Sequence, residues 1–182
     1  MQSIKQLSHT LGHLADRDHF LFSLSDLSGL LPEQSPSALK AVIGRAVKNG
    51  LLKRVCRGIY LYPLKDYPAG LLLYRVAARL RAHELNYLSL ESVLSDAGVI
   101  SQIPMNWITL MSSGRSHIID CGDFGHIEFI HTGKSHDKIE PHLLYDRKCG
   151  LWRATVSLAL QDMNATGRNM ELVDWGVVRE LV

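Results

Sequence analysis

Between Ser35 and Arg57 the chain carries six cations (Lys40, Arg45, Lys48, Lys53, Arg54 and Arg57) and no carboxylate. A solvated structural helix mixes both signs, so a one-signed stretch points to a polyanionic partner, whose phosphates release condensed counterions when neutralised. The local signals predict how the stretch folds. Ser35 is a good N-cap, and Pro36 suits the first helical position, where its missing N–H costs nothing. Leu39, Val42, Ile43, Ala46 and Val47 recur at helical spacing and form one apolar stripe. Asn49-Gly50 ends the helix, because Gly tolerates the left-handed conformation after a C-terminus. The opposite face holds Ser37, Lys40, Ala41, Gly44, Arg45 and Lys48. Ala41 and Gly44 are small enough for a close approach, either to a groove wall or to another helix.

A small hairpin is expected next, with strands Leu51 to Arg54 and Gly58 to Tyr62 joined at Cys56-Arg57-Gly58. Arg54 and Arg57 fall at its tip, where a ribbon lying along a sugar-phosphate backbone takes phosphates. The alternative is a solvated hairpin on an ordinary domain. Upstream, Ile4, Leu7, Leu11 and Leu14 mark an amphipathic helix over Ile4 to Ala15. Leu21-Phe22-Ser23 reads as a short extended piece that pairs with the hairpin. Ser25-Asp26 is expected to cap a brief helix ending at Leu31, before Pro32. The order helix, strand, helix, helix, hairpin is the winged-helix topology, with Asp26 to Pro63 as helix-turn-helix and wing.

Charge divides the chain. Residues 1–66 hold nine Lys/Arg against five Asp/Glu, a net +4, whereas residues 67–182 hold eleven against thirteen, a net −2. A basic head beside a mildly acidic body suits nucleic-acid binding by the first part and another task for the second. The boundary is placed in the proline-bounded connector Pro63 to Pro68, giving domains 1–66 and 67–182. No run of 18 apolar residues occurs, so no membrane helix is expected, and the N-terminal residues lack a signal-peptide pattern. Cys56, Cys121 and Cys149 are odd in number and unpaired by motif, which points away from a disulfide framework or zinc site and towards a reducing cytoplasm.

The fold class expected is α+β: a winged helix followed by an α/β domain with a small antiparallel sheet and flanking helices. Helices are predicted over Ala69 to Glu84, Ser89 to Ala97 (Ser89 as N-cap, Gly98 as stop), Leu151 to Asn164 and Asp174 to Leu181. Strands are predicted over Trp107 to Met111, His117 to Cys121 and Gly125 to His131, separated by glycine-bearing turns at Ser113-Gly114-Arg115 and Gly122-Asp123.

Few residues here carry reaction chemistry. In the stretch His117, Asp120, Asp123, His126, His131, His136, Asp137, no H-x-x-x-H or H-E-x-x-H fixes ligands on one face, and His117 and Asp120 point to opposite sides of a strand. No phosphate-cradling glycine loop, dinucleotide fingerprint or acyl-transfer elbow occurs, and nothing flanks Cys121 or Cys149 as a nucleophile motif would. Ser112-Ser113-Gly114-Arg115 reads as a solvated turn or as a site for an anion or a protein carboxylate. Trp107, Trp152 and Trp175 read as core or interface aromatics.

Three stretches carry a family likeness: R-G-I-Y-L-Y-P at Arg57 to Pro63, YLSLESVLSDAGVI at Tyr87 to Ile100, and WITLMSSGRS at Trp107 to Ser116. In this combination and order the chain resembles the AbiEi antitoxins of abortive-infection (AbiE) toxin–antitoxin systems. The resemblance implies a winged helix that binds inverted repeats in its own promoter. It also implies a C-terminal domain that neutralises a cognate nucleotidyltransferase-like toxin without a stable complex, in phage defence. The expectation is a cytoplasmic autorepressor and antitoxin, with no enzymatic activity, cofactor, metal or membrane contact. Ser35, Ser37, Lys40, Ala41 and Arg45 are expected to contact double-stranded promoter DNA, the last four at base edges. Lys48, Lys53, Arg54 and Arg57 are expected to hold phosphates. Ser113 and Arg115 mark the expected antitoxin surface. No coiled-coil seam is visible, so two copies are expected to associate only on DNA. A plain regulator whose second domain senses a ligand or dimerises is one alternative; a nuclease or metal hydrolase built on the His/Asp-rich strands is another.

Overall fold

In the computed structural model, which describes residues 2–101 and 105–182, the Ser35 hydroxyl accepts a hydrogen bond from the Ala38 N–H and Pro36 opens the helix that follows. The chain divides into two units, Met1–Gly70 and Leu71–Val182. The described residues form α-helices and two sheets, an α+β architecture.

The first unit runs α1 (Gln2–Leu14), β1 (Leu21–Ser23), α2 (Leu24–Leu30), α3 (Pro36–Lys48), β2 (Lys53–Cys56) and β3 (Ile59–Leu61). Leu7 and Leu11 of α1, Leu27 of α2, and Leu39, Val42, Ile43 and Ala46 of α3 are buried together with Leu51 and Leu52. Each buried leucine, valine or isoleucine among them contributes about 1.5–3 kcal/mol when taken from water. Leu14, expected on the apolar face of α1, is the last residue of the helix and is half exposed. The cap of α2 also differs from expectation. Ser23, not Ser25, accepts from the Asp26 N–H, and the Asp26 carboxylate accepts from the Ser23 N–H, closing a capping box. Ser25 lacks the three-residue spacing to Asp26 that this reciprocal pair requires.

The sheet has the order β1-β3-β2, with both pairs antiparallel. The first hairpin strand starts two residues later than expected. Leu51 and Leu52 are both buried, which an alternating strand cannot achieve with neighbours; instead their N–H groups fold back onto the Ala46 carbonyl at 2.9 and 3.2 Å. A register shift between Arg54 and Cys56 follows, so Arg54 lies within β2 and only Arg57 sits in the turn, beside Gly58 at φ +81°. Gly58 accepts from the Leu24 N–H at 2.9 Å, tying the turn to the start of α2.

The second unit departs further from the sequence-based expectation. A short 3-10 turn, Ala69–Leu71, precedes α4 (Leu72–Leu80), which ends before the expected Glu84. Then come β4 (Asn86–Leu88), α5 (Leu90–Asp96), β5 (Trp107–Ser112), β6 (His117–Asp120), β7 (His126–His131), α6 (His136–Ile139), β8 (Leu143–Asp146), β9 (Leu151–Ala154), α7 (Val156–Ala165) and α8 (Trp175–Leu181). The sheet is six-stranded and mixed, in the order β6-β7-β5-β4-β9-β8, rather than small and antiparallel. Strands β5 and β7 run parallel, as do β4 and β9. The segment at Ser113-Gly114-Arg115 is therefore no hairpin turn. The chain passes outward from β5 to the edge strand β6 and returns as β7 between them. Leu151 to Ala154, expected as the first turn of a helix, extends as β9, and Thr155 caps α7. Ser89 precedes α5 as expected but does not cap it; its hydroxyl donates to Asp162 instead.

Candidate nucleic-acid interface

The exposed face of α3 follows from its buried one. Leu39, Val42, Ile43 and Ala46 point into the core, leaving Ser37, Lys40, Ala41, Gly44, Arg45 and Lys48 exposed. At 3.6 residues per turn these six span an arc of about 140°, one continuous surface. A Cβ added at Gly44 would meet nothing within 4 Å, so the small residue is not there to admit a neighbouring helix of this chain. Among the described residues, no ion pair forms to Lys40, Arg45, Lys48 or Arg57.

Two acids of this unit accept hydrogen bonds from nearby backbone N–H groups. Asp26 closes the capping box of α2. Asp16 accepts from the His19 and Asp18 N–H groups, both at 2.7 Å, and these bonds hold its carboxyl below the ordinary range.

The hairpin adds three more cations, each in a different setting. Lys53 and Arg54 are exposed on β2, the edge strand. Arg54 Nε donates to the Cys56 carbonyl at 3.3 Å, across the register shift. Lys53 already interacts with a neighbouring group. Arg57 is exposed in the turn itself. Because Leu51 and Leu52 are buried directly after α3, the hairpin has no flexible tether to the helix. The Ser35 hydroxyl accepts from the Ala38 N–H and stands 3.2 Å from the Ser37 hydroxyl.

In the second unit, the segment after β5 is pinned. Ser113 Oγ accepts from the Leu85 N–H at 3.1 Å, and the Arg115 carbonyl accepts from Arg81 Nη2 at 2.6 Å, leaving the Arg115 side chain exposed. Arg81 organises this segment: Nη1 donates to Ser112 Oγ at 2.8 Å, and its guanidinium lies 4.0 Å over the Phe129 ring. Sequence reasoning missed Arg81, because nothing in an arginine at the end of an amphipathic helix announces a buried partner.

The histidines and aspartates of β6 and β7 make separate contacts along the ladder. His117 and Asp120 pair with Phe129 and His126 along the β6–β7 ladder. His126 Nε2 stands 3.8 Å from Asp120 Oδ1 and stacks on Trp107, while His131 Nδ1 lies 2.9 Å from the Gly114 carbonyl. Among the described residues, no three of His, Cys, Asp and Glu converge as metal ligands would. Burial, with the Asp146 carboxylate beside it, pushes the Cys149 thiol up to about 11, the reverse of what a nucleophile needs. Among the described residues, no helix is long and apolar enough to cross a membrane.

Residues 10–63 match the sequence model of a family described as a transcriptional regulator, the AbiEi antitoxin. No curated protein matches the chain. The matched segment reaches from the second half of α1 to the end of the hairpin, so it contains every residue of the cationic surface. Over this segment the chain is similar to AbiEi antitoxin transcriptional regulators. The likeness at Tyr87 to Ile100 and Trp107 to Ser116 lies beyond the matched segment.

Proposed function

We propose that the chain is a winged-helix DNA-binding autorepressor that also acts as the antitoxin to a nucleotidyltransferase-like toxin. The observation that carries this reading is the exposed, single-signed face of α3, joined without slack to a cationic hairpin. In this reading α3 enters the major groove, with Ser37, Lys40, Ala41 and Arg45 towards the base edges. Lys48, Lys53, Arg54 and Arg57 neutralise phosphates and fix the register. The second unit neutralises the toxin without a stable complex, through a surface that includes Arg115. Two copies bind an inverted repeat in the promoter cooperatively, and the chain catalyses no reaction.

Two experiments test the parts separately. Mobility shifts on the promoter of its own operon should show stepwise, cooperative occupation of two half-sites; a single one-to-one complex opposes association of two copies on the operator, and no binding at all opposes the repressor reading. Co-expression with the neighbouring gene product should relieve its toxicity. Repression without rescue leaves a plain regulator.

A second reading has one observation in its favour. A cavity of about 530 Å³ in the second unit is lined by His131, Thr132, Lys134, Ser135, Lys138 and Thr166, among others. Its volume falls within the size range of small-molecule sites. A metabolite that shifts promoter affinity, with no rescue of toxicity, would favour it.

A further inference from the structure

Helix α1 presents two exposed ring nitrogens within hydrogen-bond distance of each other. His9 and His13 are one helical turn apart and so share a face. Their Nε2 atoms stand 3.2 Å apart, and the ring centroids 4.5 Å apart. Both side chains are exposed. The backbone beneath them is fixed, since Leu7 and Leu11 on the opposite face are fully buried. Thr10, between the two rings in sequence, turns its hydroxyl back to the Gln6 carbonyl at 2.9 Å and stays clear of the pair.

We propose that His9 and His13 form a two-ligand site for a divalent transition metal. Two imidazole nitrogens held about 2.0–2.1 Å from a tetrahedral zinc ion stand about 3.3–3.4 Å apart. The observed 3.2 Å is therefore close to the bite that chelation requires, and rotation of the two rings from their edge-on arrangement aims both lone pairs at one ion. Facing nitrogens can share one proton between two lone pairs, whereas a metal ion takes both lone pairs at once. Imidazole selects Zn²⁺, Ni²⁺ and Cu²⁺ over the hard cations Mg²⁺ and Ca²⁺, which take oxygen ligands. Two protein ligands leave the remaining coordination positions to water. The site closes only when the helix is formed, so an ion bound there stabilises the folded first unit. This inference does not rest on the DNA-binding reading, because neither histidine belongs to the cationic face of α3.

The test uses the full chain with no affinity tag. Titration with Ni²⁺ and Zn²⁺ by calorimetry should show a site weakened in His9→Gln and in His13→Gln alike. Losing a direct ligand should exceed the loss of about 10–100-fold in affinity that removing an outer partner brings. His136→Gln, which removes another exposed histidine, should leave this site unchanged, and Mg²⁺ and Ca²⁺ should not compete. Paramagnetic resonance of the Cu²⁺-loaded chain should report two bound imidazole nitrogens, falling to one in each single variant. An affinity that neither substitution changes, or a copper spectrum that both leave intact, overturns the proposal. So does a metal-free pair whose only interaction is the proton shared between the rings.

Discussion

The Ser89 hydroxyl donates to the Asp162 carboxylate across 2.7 Å, and both side chains are wholly buried. The other carboxylate oxygen of Asp162 lies 2.6 Å from Lys134 Nζ. This contact joins α7, the β4–α5 junction and the segment after β7. Burial, with the Asp162 charge alongside, also pushes the Tyr87 phenol upwards. Removing Lys134 strands a charge in the interior, which costs about 3–5 kcal/mol. The Lys134 side chain is 29% exposed, so water screens part of the pair. Lys134→Met is therefore expected near the low end, about 3 kcal/mol. Lys134→Met with Asp162→Asn should recover part of that loss. Urea unfolding midpoints of the two variants check both statements, and equal midpoints would mean that the carboxylate finds another partner.

Gly44 separates folding from recognition. A Cβ there meets nothing within 4 Å, and Gly in a helix interior is less favourable than Ala by about 1 kcal/mol. Gly44→Ala should therefore raise the stability of the first unit by up to about 1 kcal/mol. If α3 lies against a groove wall, the same methyl should weaken promoter binding. Melting temperature and mobility shift, measured on one preparation, should move in opposite directions. A stabilised variant with unchanged DNA affinity would place Gly44 away from the nucleic acid.

How much of this was legible depended on how local each signal was. The cap, stripe and stop of α3 are all written within Ser35 to Gly50, and they fold as their chemistry dictates. The α2 cap was misplaced because two serines lie near Asp26 and only the spacing from Ser23 closes a box. In the second unit the sequence hid more. Strand β4 is three residues long, too short for alternation to register, and β9 runs straight into the Thr155 cap, so its apolar residues read as helix. The parallel pairing of β5 with β7 depends on a neighbour contributed after the intervening β6, which no local pattern encodes. The cations of α3 could be placed on one face from periodicity alone. The commitment of Ser113 Oγ to the Leu85 N–H could not, because it joins residues 28 apart.

The hairpin arginines should act on all DNA alike. Neutralising four phosphates through Lys48, Lys53, Arg54 and Arg57 gives a slope of log affinity against log salt of roughly −3.6. Arg54→Ala with Arg57→Ala removes two, so the slope should fall to roughly −1.8. Affinity should drop for operator and unrelated DNA in the same proportion. Lys40→Ala, by contrast, should change which site is selected from a random pool. A double arginine variant with an unaltered salt slope would remove the hairpin from the interface.

Cys149 offers a test of the non-enzymatic reading. It is 4% exposed and its thiol is pushed up to about 11, first by burial and then by the Asp146 carboxylate. Asp146 is held in place by the Lys148 and Cys149 N–H groups at 2.9 and 3.1 Å. Those bonds and the nearby Arg153 outweigh the effect of its partial burial and keep its carboxyl below the ordinary range. The folded thiol is raised above its unfolded value, so its contribution to stability is present in full below the unfolded value. It is lost as pH rises towards about 11. Cys149→Ala should therefore show a shallower alkaline loss of stability than the parent, measured by urea unfolding between neutral and strongly alkaline pH. At neutral pH the folded thiolate fraction should be smaller than that of an ordinary thiol by about a hundredfold. Iodoacetamide should accordingly modify Cys149 rapidly only after unfolding. Fast modification of the native chain at this residue would reopen the nucleophile reading.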